Sequence, residues 1–124
     1  MSKTEEVSIW VIKNTSTGEY LDGNENFVED FSKASKWKLE STAIEKLHRF
    51  GQQGYKWYPE WAETADDEEK KDQYRSYAKD YKELFDNCVI INYSGTYTLV
   101  GETKMTAISK TKTEWDFEVI TDTD

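Results

Sequence analysis

The chain has 124 residues, of which 36% are hydrophobic and 15% aromatic, and its formal net charge at pH 7 is -9. This length predicts a single domain over residues 1–124, and the negative charge argues against direct binding to nucleic acid or to an anionic membrane surface. No apolar run is long enough for a membrane span, and the polar start of the chain lacks the apolar stretch of a secretion signal.

The first predicted elements are short β-strands. Apolar residues alternate over 7–12, a polar loop with Gly18 follows, and the pair Tyr20-Leu21 then predicts the return strand of a hairpin. Gly23 closes this strand, and residues 37–39 are expected to form a third extended segment. The N-terminal part of the chain is therefore predicted to be a small antiparallel unit.

A helix is predicted next, from an apolar stripe at helical spacing. The stripe consists of Ala43, Ile44, Leu47 and Phe50. Thr42 and Glu45 stand in capping-box register at the start of this helix. Gly51 or Gly54 is expected to end it, because glycine is the common residue just after a helix C-terminus.

A second helix is predicted from about residue 64, after an aromatic link at residues 55–61. Because the link contains Pro59, which is poorly placed in a central strand, we expect it to be an ordered loop. One face of the helix is lined by Tyr74, Tyr77, Ala78, Tyr81, Leu84 and Phe85. Acidic residues cluster in its first turns, where the helix dipole favours negative charge.

The last third of the chain is predicted to be rich in strands. Strands are expected at 89–93 and 96–100, joined by a turn at Ser94-Gly95, and again at 105–109 and 114–120. The predicted order of elements is β-β-β-α-α-β-β-β-β. This order indicates the α+β class, with an antiparallel sheet of about five to seven strands and two helices on one face.

A pattern over residues 7–47 resembles that of a known group of proteins. It consists of Trp10-Val11-Ile12-Lys13-Asn14, Thr17-Gly18-Glu19-Tyr20-Leu21, Phe27, Asp30-Phe31-Ser32-Lys33-Ala34, Trp37 and Ser41-Thr42-Ala43. In this arrangement the segment is similar to a module of small uncharacterised proteins of bacteriophages and other mobile elements, mostly of Gram-positive hosts. The resemblance implies a context more than an activity, since small acidic phage proteins often bind and block a host enzyme or defence complex. It implies no catalytic residue.

Catalytic and metal sites are not expected. His48 is the single histidine, and no cysteine or second histidine is near it in the sequence. A Ser-His-Asp or Cys-His arrangement needs a positioned imidazole, and a zinc site needs several such ligands. The glycines do not have the spacing of a phosphate-binding loop. We therefore predict a protein that is not an enzyme and that uses no metal or other cofactor.

The acidic residues are gathered in patches. Period-two geometry places the carboxylates of the last strand on one face about 6.6 Å apart, roughly twice the 3.4 Å rise between phosphates on one DNA strand. With the acidic start of the second helix, they predict a partner-binding face that mimics DNA. A solvated sheet face and a favourable helix dipole explain the same residues without a partner. The residues of this acidic set are Glu114, Asp116, Glu118, Asp66, Asp67, Glu68 and Glu69.

Two further segments are candidates for binding. Lys36, Arg49 and Lys56 stand among aromatic residues in segment 33–58, a combination that suits a nucleotide or a small anion, although such residues also serve only for solubility. The aromatic link offers side chains that act either as binding hot spots or as a small satellite core. These side chains are Trp57, Tyr58 and Trp61.

Together these patterns predict a non-enzymatic phage or mobile-element protein that blocks a host nucleic-acid-handling or defence protein through an acidic, DNA-mimicking surface with aromatic anchors. The alternative is a nucleotide or small-anion binding protein that uses the basic-aromatic segment. A cytoplasmic location in the host cell is expected, because the single Cys88 lies in an apolar run and cannot form an internal disulfide. The uneven charge is also compatible with a homo-oligomer.

Overall fold

The computed structural model describes residues 8–94, 98–109 and 115–123, and it confirms the α+β fold. The strands are β1 (Ser8–Asn14), β2 (Tyr20–Leu21), β3 (Phe27–Val28), β4 (Cys88–Ser94), β5 (Thr98–Ser109) and β6 (Trp115–Thr123). The helices are α1 (Glu40–Gln52), α2 (Tyr58–Thr64) and α3 (Glu68–Asn87), with a 3-10 turn at Phe31–Lys33 and a π-helical turn at Gln53–Trp57. The six strands form one antiparallel sheet in the order β3-β2-β1-β4-β5-β6.

The central strands β1 and β4 are buried on both faces of the sheet. On the face covered by the helices, Ile12 lies opposite Ile90 and both belong to the main core with Phe85 of α3. On the other face, Val11 lies opposite Ile91 under the segment that contains the 3-10 turn. Burial on both faces explains why this part of the sequence reads as a continuous apolar run instead of an alternation. We call the two sides the helix face and the outer face.

The predicted N-terminal hairpin is confirmed, with Lys13 of β1 opposite Tyr20 of β2. The third extended segment is reduced to one isolated bridge between Trp37 and Trp10, and the third strand is the short β3 instead. The predicted capping box is wrong, because α1 begins three residues earlier, after Leu39 at the cap position, and Thr42 lies inside the helix.

The prediction that the aromatic link is a loop is also wrong. The π-helical turn and α2 continue the helical path of α1 through this segment as far as Thr64. Tyr58 donates its backbone N–H to the carbonyl of Gln53, five residues back. Pro59 is tolerated because it stands in the first turn of α2, where a missing N–H costs least. Pro59 thus excludes a central strand, as expected, but it marks the start of a helix and not a loop.

The two glycines expected to end the first helix instead allow close packing. A Cβ at Gly51 would lie 2.6 Å from the ring of Phe117 and 2.7 Å from that of Phe85. A Cβ at Gly54 would lie 2.7 Å from the Cα of Lys82, and a backbone neighbour cannot move aside as a side-chain tip can. Glycine is therefore required at Gly54 by contact with α3, not by the need to terminate a helix.

We predict that Gly54→Ala destabilises the fold by about 1–3 kcal/mol, since overpacking against backbone outweighs the gain of about 1 kcal/mol in helix propensity. Urea unfolding followed by circular dichroism measures the effect. Gly23→Ala is the matched control, because a Cβ there meets the Ser35 hydroxyl at an ordinary 3.6 Å. A Gly54→Ala protein as stable as the parent would show that the π-helical turn does not approach α3 this closely.

The C-terminal strands differ in number from the prediction. The segments 96–100 and 105–109 were expected to be two strands, but β5 runs unbroken from Thr98 to Ser109 and pairs with β6 along its length from Gly101. A bulge at Asn92/Tyr93 shifts its register against β4. Gly95, the second residue of the predicted Ser94-Gly95 turn, lies outside the described residues.

In the part of the chain that the structure covers, no helix combines the length and apolar character needed to cross a membrane.

Cys88 lies at the start of β4 and is fully buried, as expected from its apolar surroundings. Burial raises the pKa of its thiol to about 12, because desolvation penalises the thiolate. We predict that the folded protein reacts with iodoacetamide at pH 8 only at the rate at which it unfolds, and that urea exposes one thiol. Mass spectrometry measures the alkylated fraction. Rapid labelling without loss of secondary structure would contradict this burial.

Candidate functional site

The helices α2 and α3 form an antiparallel hairpin. With 20 residues, α3 is about 30 Å long. Near its C-terminal end Phe85 is fully buried in the core, whereas the α3 residues further towards its N-terminus are half-buried or exposed. Residues of α2 pack on the N-terminal half of α3, whereas the π-helical turn contacts its C-terminal half at Lys82. The N-terminal half of α3 therefore offers surface that the core does not require.

An aromatic cluster fills the space between the two helices. Its members are Tyr58, Trp61, Tyr74, Tyr77 and Tyr81. The ring of Tyr58 is central, since it stacks on Tyr81 at 5.7 Å and 14° and lies 5.3 Å from Tyr77. Tyr58 also meets Trp61 edge to face at 5.3 Å. The three tyrosines of α3 share one face of the helix because they are spaced by three, four and seven residues.

The members of the aromatic cluster differ in exposure. Tyr58 is half-buried, whereas Trp61 is 47% exposed and Tyr77 is 39% exposed. The Nε2 of Gln73 donates a 2.8 Å hydrogen bond to the Tyr77 hydroxyl and holds that ring in place. Trp57, the third predicted aromatic anchor, is half-buried in the π-helical turn. The sequence left open whether these rings form a hot spot or a satellite core. In the structure Tyr58 packs among other rings, whereas Trp61 and Tyr77 are partly exposed to solvent.

The acidic residues before and within the first turn of α3 surround the outer end of this surface. Asp67 caps the helix by accepting the backbone N–H of Glu69 at 3.0 Å. Glu68 lies 3.6 Å from Lys71 as an exposed i,i+3 pair, which contributes little to stability. Asp66 and Asp67 line a shallow cavity of about 280 Å³ together with Trp61 and Tyr74. The carboxylates of Asp66 and Asp67 and the exposed ring of Trp61 are therefore next to each other at the tip of the hairpin, with Lys70 beside them.

Glu118 of β6 is exposed on the outer face of the sheet, opposite Thr106. Asp116 pairs with Ile108 in the backbone register, and its side chain lies outside the described residues. The row is interrupted by Ile120, which is 50% exposed, and its cross-strand neighbour is Lys104. Glu114, the first residue of the predicted row, lies outside the described residues. The outer face of β6 is therefore a mixed surface.

The structure does not bring the two acidic groups together. Phe117 of β6 contacts Phe85 at 5.2 Å, and Glu68 stands 17 residues before Phe85, or about 25 Å further along α3. Glu118 also faces away from the helices, because it alternates with Phe117. The predicted acidic set thus divides into a hairpin group and a sheet group on different parts of the molecule.

The predicted basic set does not converge either. The ammonium of Lys36 donates hydrogen bonds to the carbonyls of Phe31 (2.8 Å), Ser32 (3.2 Å) and Ala34 (3.2 Å), so it holds the turn that covers the outer face. Arg49 is on the opposite side of the sheet, on α1, beside Trp37 in a cavity of about 140 Å³. Lys56 is half-buried in the π-helical turn.

A third cavity, which the sequence does not predict, opens where the aromatic cluster meets α1 and the β2–β3 loop. Its volume is about 250 Å³, and we call it the tyrosine pocket. It is lined by Glu25, Phe27, Phe50, Tyr77, Asp80, Tyr81 and Leu84. Asp80 could have been found from the sequence, since it shares a helix face with Tyr77 and Tyr81. Glu25 could not, because only the tertiary fold brings its loop to α3.

His48 packs edge to face on Phe117, with ring centroids 4.8 Å apart, which gives it a packing role. Within the described ranges, no three His, Cys, Asp or Glu side chains are grouped as a metal ion would require.

Comparison of the chain with protein-family models, with curated proteins and with solved structures finds no match.

We predict that Trp61→Ala costs less than about 1 kcal/mol of stability, whereas Tyr58→Ala costs about 2 kcal/mol or more. The reason is that Tyr58 contacts four other rings while nearly half of Trp61 faces solvent. Thermal and urea unfolding of the two variants measure the difference. Equal losses would mean that Trp61 is a structural residue and not an available contact.

Proposed function

We propose that the protein is a non-enzymatic binding protein that blocks a host nucleic-acid-handling or defence protein, and that its working surface is the outer side of the α2–α3 hairpin. The observation that carries the proposal is the exposure of Trp61 beside the carboxylates of Asp66 and Asp67, with the exposed ring of Tyr77 further along the same helix. Exposed aromatic rings supply the apolar contact that dominates binding hot spots. The carboxylates supply attraction to a basic surface and faster encounter.

The charge of the hairpin supports a basic partner. Residues 60–86 contain ten acidic and five basic side chains, which gives this segment a net charge of -5. Proteins that handle nucleic acids carry basic grooves for the phosphate backbone, and an acidic protein that enters such a groove excludes the nucleic acid. The host as the source of the partner follows from the phage resemblance of residues 7–47.

The proposal places the DNA-mimicking role on the hairpin and gives the sheet group a secondary part. Ile120 and Lys104 break the regular spacing that a phosphate mimic on β6 would need. The nucleotide-binding alternative gains no support from the geometry, because Lys36 is committed to backbone carbonyls and lies across the sheet from Arg49.

A capture experiment tests the proposal. Tagged protein is incubated with host lysate at low and high salt, and the captured protein is quantified for the parent and for Asp66→Lys/Asp67→Lys. The variant is expected to capture at least about tenfold less, since it replaces attraction with repulsion at the contact. Because Asp67 also caps α3, the helix content of the variant is compared with that of the parent by circular dichroism. Asp116→Lys/Glu118→Lys is the control, because it makes the same change of net charge on the sheet group.

Equal loss in both variants would contradict a localised hairpin surface and indicate a general effect of net charge. Loss of capture only in Asp116→Lys/Glu118→Lys would contradict the proposal and indicate that the outer face of β6 is the partner surface. Trp61→Ala separates the apolar contribution of the ring from the electrostatic contribution of the carboxylates. This variant should capture less partner at every salt concentration, whereas the contribution of the carboxylates weakens as the salt concentration rises.

A further inference from the structure

We propose that the tyrosine pocket binds a basic side chain, with arginine preferred, that the protein partner inserts. This inference rests on the proposed function, since it names the group through which a basic partner would be held. The pocket combines the two features that recognise an organic cation: the carboxylates of Glu25 and Asp80, and the rings of Phe27, Tyr77 and Tyr81.

The chain itself shows that this region accepts an ammonium group. The Nζ of Lys46 forms an ion pair with the carboxylate of Glu25 and lies 5.8 Å from the centroid of the Phe50 ring. Glu25 and Phe50 both line the pocket. Glu25 and Phe50 thus already contact the ammonium group of Lys46. Asp80 and Tyr77 are exposed, so a cation from a partner can reach them.

The pocket is built on supported elements. The Asp22 carboxylate accepts the backbone N–H groups of Asn24 (2.8 Å) and Asn26 (2.9 Å), and this turn holds Glu25 with a positive φ of 64°. Such a conformation is uncommon for a residue with a side chain. On the other wall, burial, Tyr58 and the Glu25 carboxylate raise the pKa of Tyr81, in that order, so its ring stays neutral and available to a cation.

Arginine fits these walls better than lysine does. Its guanidinium is planar, stacks on aromatic rings and donates hydrogen bonds to carboxylates in a fork. Tyr77 and Tyr81 stand one turn apart on α3 with Asp80 between them, so a ring contact and a carboxylate contact lie side by side. The pocket also adjoins the exposed ring of Tyr77, which belongs to the proposed hairpin surface.

The test uses N-acetylarginine amide as the probe and N-acetylcitrulline amide as its neutral isostere, titrated into the full chain while the ring protons of Tyr77 and Tyr81 are followed by NMR. We expect the arginine probe to bind about fivefold more tightly than the citrulline probe, and more tightly than N-acetyllysine amide. Equal binding of the arginine and citrulline probes would overturn the proposal. Tighter binding of tetramethylammonium than of the arginine probe would also overturn it, in favour of a small organic cation.

Three variants locate the site. Asp80→Asn should weaken binding of the arginine probe about threefold, whereas Asp72→Asn, which removes the same charge from the same helix outside the pocket, should leave it unchanged. Lys46→Gln should strengthen binding about twofold, because it frees the Glu25 carboxylate from its internal partner. A structural defect would not produce this gain. Equal losses in Asp80→Asn and Asp72→Asn, or no gain in Lys46→Gln, would overturn the assignment.

The outcome is separable from that of the proposed function. If the parent and Asp80→Asn capture the same host protein equally, the hairpin surface stands and the pocket is wrong. If the arginine probe binds as expected but the parent and Asp66→Lys/Asp67→Lys capture equally, the pocket stands and the proposed hairpin surface is wrong.

Discussion

The contact between the π-helical turn and α3 at Gly54 determines the shape of the surface that we assign to binding. Because Gly54 has no Cβ, the backbone of the turn approaches the backbone of Lys82 closely. This approach sets Tyr58 between Tyr74, Tyr77 and Tyr81, where it stacks on the tyrosine stripe of α3. Trp61 follows one turn later, at the edge of the stripe, and is therefore held against α3 while its outer side faces solvent. The exposed rings are a consequence of this packing.

The two ends of α3 have different roles. The C-terminal part of α3 belongs to the core, with Phe85 fully buried against the helix face of the sheet. The N-terminal part extends away from the core, and its stability comes from ring stacking and from the Asp67 cap. Acidic residues that stabilise this helix end are thereby carried to the tip of the hairpin, next to Trp61. Helix stability and partner recognition draw on the same carboxylates, which is why the sequence pattern supports both interpretations.

Much of the fold could be predicted from local patterns. The hairpin of β1 and β2, the stripe at Ala43, Leu47 and Phe50, and the burial of Cys88 all depend on near neighbours, and the structure confirms each of them. The π-helical turn at 53–57 could not be predicted, because such a turn has no strong local signal. The start of α2 was open to prediction, since proline is common in the first turn of a helix. The site was predictable only in part. Tyr58 and Trp61 are candidates because tyrosine and tryptophan are common in binding sites. That Glu25 and Asp80 line one pocket depends on how the β2–β3 loop packs beside α3.

The most direct measurement of the central claim is site-specific photo-crosslinking in host lysate, with a benzophenone side chain placed at Tyr77 on the hairpin or at Thr106 on the outer face of β5. Both positions are exposed, and they lie on opposite sides of the sheet. The account predicts a crosslink from position 77 to a basic, nucleic-acid-handling protein, with none from position 106. A crosslink to such a protein from position 106 alone would contradict it.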